Sequence, residues 1–426
     1  MEDRSPARRD LTLLLAGAAV STVGASLTLL AVMVHLADAG AVWIAAAMAA
    51  ELVPVVLLAP LAGRLVDRVP NRRLLLASLV VQGAAVLAAA LVGLDRPVLL
   101  VAALTLLGAG SAVTNPVVAA LLPHVTGEAG ATRAYGWYSA ITQAGFLVGF
   151  AVSGVLVEAT SVRTAILVDA VTYALMAAAV LALRTERRPS AHDDAHASVW
   201  VGFTRLGHDR LLLVGVVGLA LAVLATVIVN VAEVFFVLGD LAAGPAAYGL
   251  VTALWPAAGI AGGWYAGRLV GDRALFRALA LASVVMGVAL AAAGAVVSLV
   301  AVGVGWVLGG AAGAVQRVAI NALIRARTPD DVRGRVFSAV SGVFQAGNLV
   351  GLAVGAAVVG LVGARSSLLL SGALTALVGV GTWVAGHGAL RGADRPVPAP
   401  ADADLSGATA PGATAPDATA PEAHRT

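Results

Sequence analysis

Three carboxylates stand inside long apolar runs: Glu51 in AAELVPVV, Asp169 in ILVDAVTY and Glu233 in NVAEVFF. An ionised side chain at the centre of a membrane helix costs about 2.5–3.5 kcal/mol on insertion scales, so each needs a physical reason to be there. Proton exchange, cation binding and a hydrogen-bonded structural role are the available reasons. Glu51, beside the helix-bending Pro54, reads as the proton-exchanging or cation-binding group, with the structural glutamate as the alternative. Asp169 and Glu233 fall close to the expected ends of their helices, where a solvated side chain competes with proton coupling. Glu158 and Asp38 lie nearer still to a boundary.

Uncharged polar groups form the second set. Asn115, Gln143, Asn230, Gln316, Asn321, Gln345 and Asn348 interrupt apolar segments, and Arg317 adds a cation in AVQRVAINALIRAR. Amides at such depth either cross-link helices or line a cavity, and an arginine either faces a cavity or snorkels to the surface. Trp255, before Pro256, is a candidate pocket wall, whereas Trp137 and Tyr138 read as interfacial anchors. No enzyme constellation competes: the seven histidines are scattered, and there is no HExxH spacing and no phosphate-binding Gly-Lys loop. No metal site or cofactor is expected. The chain has no cysteine, so disulfides and thiol chemistry are excluded.

The elements that must position these groups follow from composition. Hydrophobic residues make up 60% of 426 positions, far above the share a soluble fold can accommodate, so the expected fold is all-α and integral to a membrane. Cutting at charged and Pro/Gly punctuation gives twelve stretches long enough to span a bilayer, starting near Leu11, Val42, Leu74, Val98, Tyr135, Thr164, Leu211, Tyr248, Ala274, Leu299, Val332 and Ser366. All 27 basic residues are arginine, clustered in alternate loops, with only Arg96, Arg163 and Arg365 on the other side. That asymmetry predicts both termini in the cytoplasm of a bacterial inner membrane, and it concerns topology, not nucleic acid.

Residues 1–183 are expected to form one six-helix bundle and residues 211–390 a second, joined by a polar cytoplasmic linker over 184–210. Residues 391–426, rich in Pro, Ala and Thr with a repeated ATAP unit, are expected to be a disordered tail. The halves are related: QAGFLVG from Gln143 recurs as QAGNLVG from Gln345 at an offset of 202, which also carries Pro54 to Pro256 and Arg133 to Arg335. Parallel six-helix repeats imply a pseudo-twofold axis along the membrane normal and a cavity between halves.

One charged knot remains. GRLVDRVPNRR, Gly63 to Arg73, is echoed by GRLVGDR, Gly267 to Arg273. With Gly63, Leu65, Asp67, Arg68 and Arg72, and with Arg73 extending it, the stretch resembles the loop signature G-x-L-a-D-R-x-G-R-R of the major facilitator superfamily, although Pro70 and Asn71 replace a Gly and an Arg. TPDDVRGRVFS from Thr328 and NPVVAALLPHV from Asn115 are similar to the subgroup that includes siderophore and macrolide exporters. GFAVSG from Gly149 stands where family antiporters have G-P-x-x-G-G, with Phe150 and Ser153 replacing the Pro and a Gly.

The resemblance implies proton-coupled efflux of a small amphipathic molecule (a drug, siderophore or secondary metabolite) by a monomer whose partners are that substrate, protons and the lipid bilayer. Flipping of lipid-like substrates or solute import by the same fold is one alternative, and a non-transporting sensor or scaffold is another. Asp67, at the end of the second helix, would face the positive N-terminal end of the eleventh near Arg335, worth about 0.3–1 kcal/mol, and with its arginine neighbours, Asp272 and Arg273 would latch the cytoplasmic side; the alternative is that these arginines only fix topology.

Overall fold

The computed structural model describes residues 4–185 and 200–393; side-chain placement is further undescribed at Asp67, Glu128, Asp330 and Asp331, among others. Within these residues every regular element is a helix, and the helices are joined by short turns. The first half comprises α1 (Arg4–Leu36), α2 (Ala41–Arg68), α3 (Asn71–Ala88, prolonged by a π turn, Ala89–Gly93), α4 (Pro97–Thr126), α5 (Glu128–Ala159) and α6 (Val162–Leu181). The second half comprises α7 (Trp200–His208), α8 (Arg210–Phe235, prolonged by a π turn, Phe236–Asp240), α9 (Pro245–Ala266), α10 (Asp272–Ala295), α11 (Leu299–Arg327) and α12 (Asp330–Ala393).

Ten of the described helices are long and apolar enough to cross a membrane. Two further crossings raise this to twelve. α9 falls outside the ten because Gly, Pro, Trp and Tyr interrupt its apolar sequence, yet it packs on α11 and α5 like its neighbours. α12 is two crossings joined at Gly363, whose φ of 80° breaks the helix at the turn expected before Ser366. The twelve helices form two six-helix bundles, as the repeat requires.

Only α7 was not anticipated. It lies in the stretch read as linker, and it packs on α8 and α12, with Gly202 set against the Arg335 carbonyl so closely that a Cβ would touch it. The rest of that stretch, residues 186–199, and the tail from 394 lie outside the described residues.

Local polar ties hold the arginine-rich end of each bundle. In the first half, Asp10 Oδ2 accepts from the backbone N–H of Arg184 and Thr185, at 3.1 and 2.8 Å, and from the Thr185 hydroxyl. In the second, Asp209 caps α8 through the Leu212 N–H, and its other oxygen pairs with Arg327, which also reaches Asp272. Mid-membrane ties are likewise duplicated. Gln82 and Ser78 of α3 bond Thr114 of α4, while Gln316 of α11 donates to Ser283 of α10 at 2.8 Å. The glutamine has changed helix between the copies, but the same pair of helices is joined.

The core is asymmetric along the membrane normal. One apolar cluster runs through both halves, including Ile44 and Ala47 of α2, Val157 of α5, Val251 of α9 and Leu352 and Ala356 of α12. A second cluster, around Phe276, Leu323 and Val340, draws only on the second half and sits at its arginine-rich end. The bundles are thus fused by packing away from the arginine clusters.

Candidate functional site

The crossing of α5 and α9 shows how the halves meet. At the end remote from the arginine clusters, Gly154 and Gly249 face each other: a Cβ on Gly249 would lie 2.5 Å from the Phe150 carbonyl oxygen and 2.8 Å from the Gly154 Cα. Glycine at both positions is what lets the backbones touch. Ser153, also in this segment, donates to the Leu27 carbonyl of α1 at 2.9 Å, so α5 is tied to its own half as well. At the tip, Glu158 of α5 accepts from the Ala246 N–H in the first turn of α9 at 2.8 Å, a carboxylate on the positive end of a helix. Midway down, Gln143 approaches Gly259. Nearer the arginine-rich end the helices have parted, and a Cβ on Gly136 or Gly263 would meet nothing within 4 Å. The same holds for Gly63 of α2 and for Gly334 and Gly342 of α12. The interface is sealed at one end and open at the other.

Between the halves lies a cavity of about 410 Å³. Glu51 lines it, together with Gln82, Asn115, Tyr138 and Tyr173 of the first half and Asn230 and Asn348 of the second. Gly108 of α4 sits against the Glu51 carbonyl, so the missing Cβ fixes the depth at which α2 and its glutamate are held. Pro54, three residues on, cannot donate to the helix ladder and loosens α2 there. A second cavity of about 200 Å³ continues toward the sealed end, sharing Leu29, Met48 and Asn230 with the first. Glu233, Tyr248, Thr252, Trp255 and Trp306 line it.

The sequence expectations for Asp169 and Glu233 need correction. Neither is a solvated, end-of-helix side chain. Asp169 is wholly buried in α6, with Oδ2 accepting from Thr28 and Oδ1 from Thr172 at 2.9 Å; Gly24 of α1 leaves room for the pair. Glu233 is 8% exposed because the π turn carries its helix on to Asp240, and its Oε1 accepts from Thr252 Oγ1 at 2.6 Å and Trp306 Nε1 at 2.8 Å. Tyr138, expected as an interfacial anchor, lines the cavity instead, whereas Trp137 is 53% exposed on the outer face of α5.

Other expected groups divide. Asn115, Asn230, Asn348 and Trp255 line the cavities. Gln316 is spent on Ser283, and Gln143, Gln345, Arg317 and Asn321 line neither cavity. Of the expected latch, Asp67 has its side chain outside the described residues. Arg68 and Arg73 are exposed, and Arg72 donates to the Leu181 carbonyl within its own half. Asp272 opens α10 and is held by Arg327, Arg273 lies in the first turn of α10, and the Arg335 carbonyl faces α7. The sequence reading missed Thr28, Tyr173, Thr252 and Trp306. Thr172 and Tyr173 follow Asp169 at three and four residues, a helical spacing that signals a shared face, but nothing in sequence joins Trp306 to Glu233.

Comparison with known proteins supplies the family. A search of curated proteins finds no match. A profile of the Major Facilitator Superfamily matches residues 10–302 and again 215–416. Solved structures with a similar fold include the nucleoside transporter NupG, at 12% identity and TM-score 0.72 over 89% of this chain and 99% of that one. The POT family transporter PepTSo matches at 11% identity and TM-score 0.71 over 90% and 98%. A bacterial homologue of the iron transporter ferroportin, in an inward-facing state, matches at 18% identity and TM-score 0.67 over 89% and 99%. The chain belongs to the major facilitator superfamily.

Proposed function

We propose that the protein is a proton-coupled secondary transporter that exports a small amphipathic organic molecule from the cytoplasm by alternating access. The observation that carries this reading is the cavity between the two bundles, open toward the arginine-rich end and closed at the other, with Glu51 on its wall. The positive-inside rule puts the arginine-rich end in the cytoplasm, so the cavity admits molecules from inside. Its volume falls within the range of sites for drug-sized ligands.

Glu51 is the proton-exchanging carboxylate in this scheme. It receives no hydrogen bond from the described side chains and is reached by solvent through the cavity, so a proton enters and leaves it without unfolding a local network. Asp169, behind Thr28 and Thr172, positions α6 against α1. When the arginine-rich end closes, Asp67, Arg68, Arg72, Arg73 and Arg335 approach across the gap between α2 and α12 and hold it shut.

Everted membrane vesicles energised by a proton gradient test the reading. Substrate accumulation that an uncoupler abolishes is expected, together with loss of accumulation in Glu51→Gln at unchanged protein level. Accumulation indifferent to the uncoupler would remove proton coupling, and full activity in Glu51→Gln would remove this carboxylate.

A further inference from the structure

The cavities carry a charge pattern that narrows the substrate. All 27 basic residues of the chain are arginine, and among the described residues no arginine and no histidine lines either cavity. The walls hold two carboxylates, Glu51 and Glu233. A buried carboxylate with no basic partner is balanced by a proton or by a cation from solution.

Glu233 is built differently from Glu51. Its two donors, Thr252 and Trp306, both meet Oε1, which fixes the carboxylate and leaves Oε2 with no hydrogen bond from the described residues. Aromatic rings surround it. Trp306 and Trp255 stand edge to face, with centroids 6.4 Å apart at 78°, and Tyr248 and Phe150 complete the wall. Trp255 is seated on α11 by glycine: a Cβ at Gly309 would lie 2.6 Å from its ring, and one at Gly310 would strike its backbone. Aromatic faces beside a fixed carboxylate attract organic cations and offer nothing to an anion. A bare Ca²⁺ or Mg²⁺ ion does not fit, because these ions take six or more oxygen ligands and the described residues contain no cluster of three or more potential metal ligands.

We propose that the aromatic pocket at Glu233 binds the positively charged group of the transported molecule, so that the substrate is an organic cation such as a protonated amine or quaternary ammonium. This rests on the transport reading above and adds to it a division of labour. Glu51 exchanges the proton in the wider cavity, and Glu233 receives the cation beyond it. The apolar remainder of the substrate lies back along Met48 and Leu29, where the two cavities join.

The test uses the purified full-length protein in detergent without any gradient. Two ions of the same shape and opposite charge, tetraphenylphosphonium and tetraphenylborate, are titrated while tryptophan emission is followed. Saturable quenching by the phosphonium alone is expected. Glu233→Gln should weaken it at least tenfold, and Glu233→Asp should retain most of it. Trp255→Leu should weaken it about fivefold and Trp255→Phe much less, which keeps the test decisive if the Glu233 variants misfold. Binding of neither ion, equal binding of both, or unchanged affinity in a folded Glu233→Gln overturns the proposal. Phosphonium binding without uncoupler-sensitive vesicle transport would leave the cation site standing and remove the transport reading; transport without phosphonium binding would do the reverse.

Discussion

The two ends of the α5–α9 crossing are made of the same residue types and do opposite things. At the sealed end, Gly154 and Gly249 bring the backbones into contact, and Glu158 caps the first turn of α9. At the arginine-rich end, Gly136 and Gly263 face open space. Glycine therefore does not itself close the interface; it permits closure wherever the rigid-body angle between the bundles brings the helices together. The sequence had suggested a latch of this kind, a carboxylate against a helix N-terminus, at Asp67 and α12. The structure displays one at the other end, at Glu158 and α9. Under the proposed alternating-access cycle, a latch at Asp67 would engage as the Glu158 contact releases, each worth a few tenths to about 1 kcal/mol.

Bulk introduced at the sealed end should have the largest effect. Gly249→Leu would keep α5 and α9 apart, and at least a tenfold loss of vesicle transport is expected with protein still in the membrane. Gly263→Leu, at the open end, should leave thermal stability nearly unchanged, because its side chain enters unoccupied space. Equal loss of stability in both variants would show that the two ends do not differ as described.

Smaller effects sharpen the contrast between ties within a half and ties between halves. Arg327→Ala removes the bridge to Asp209 and Asp272, which are 18% and 32% exposed, so after solvent screening about 1 kcal/mol of stability is expected to go. Transport should survive this change, since all three residues belong to one bundle, and calorimetry beside a vesicle assay checks both parts. Glu158→Gln should do the reverse, leaving stability nearly intact while shifting the balance of open and closed sealed ends by about two- to fivefold. Accessibility of a cysteine placed at Ala246 would report the shift. Gln82→Leu and Gln316→Leu should each cost about 0.6 kcal/mol, the average for polar ties between membrane helices. Because the two ties lie in different halves, the double variant should be additive in thermal melts.

Much of the architecture was legible before the structure. Apolar run lengths give the crossings, arginine spacing gives a common end, and the Gln143 and Gln345 heptads expose the duplication. What could not be read was which face of each helix meets the cavity. In helices built of Ala, Gly, Leu and Val, lipid and neighbouring helices are equally apolar surroundings, so the periodicity that marks a soluble core is lost. The repeated glutamines illustrate this: they revealed the repeat, and neither lines the cavity. Asp169 and Glu233 were misplaced because uncertainty of a turn at a helix end decides between solvent and interior. The bond from Trp306 to Glu233 spans 73 residues and exists only once α8 and α11 are packed.

The most direct test of the account measures distances across both ends at once. The chain has no cysteine, so spin-label pairs can be introduced at Gly136 and Gly263 for the open end and at Ala159 and Ala246 for the sealed end without removing native thiols. Pulsed electron resonance in lipid nanodiscs should show that changing pH or adding the phosphonium ion shortens one distance as it lengthens the other. Two distances that stay fixed under every condition, or that lengthen together, would contradict alternating access in this protein.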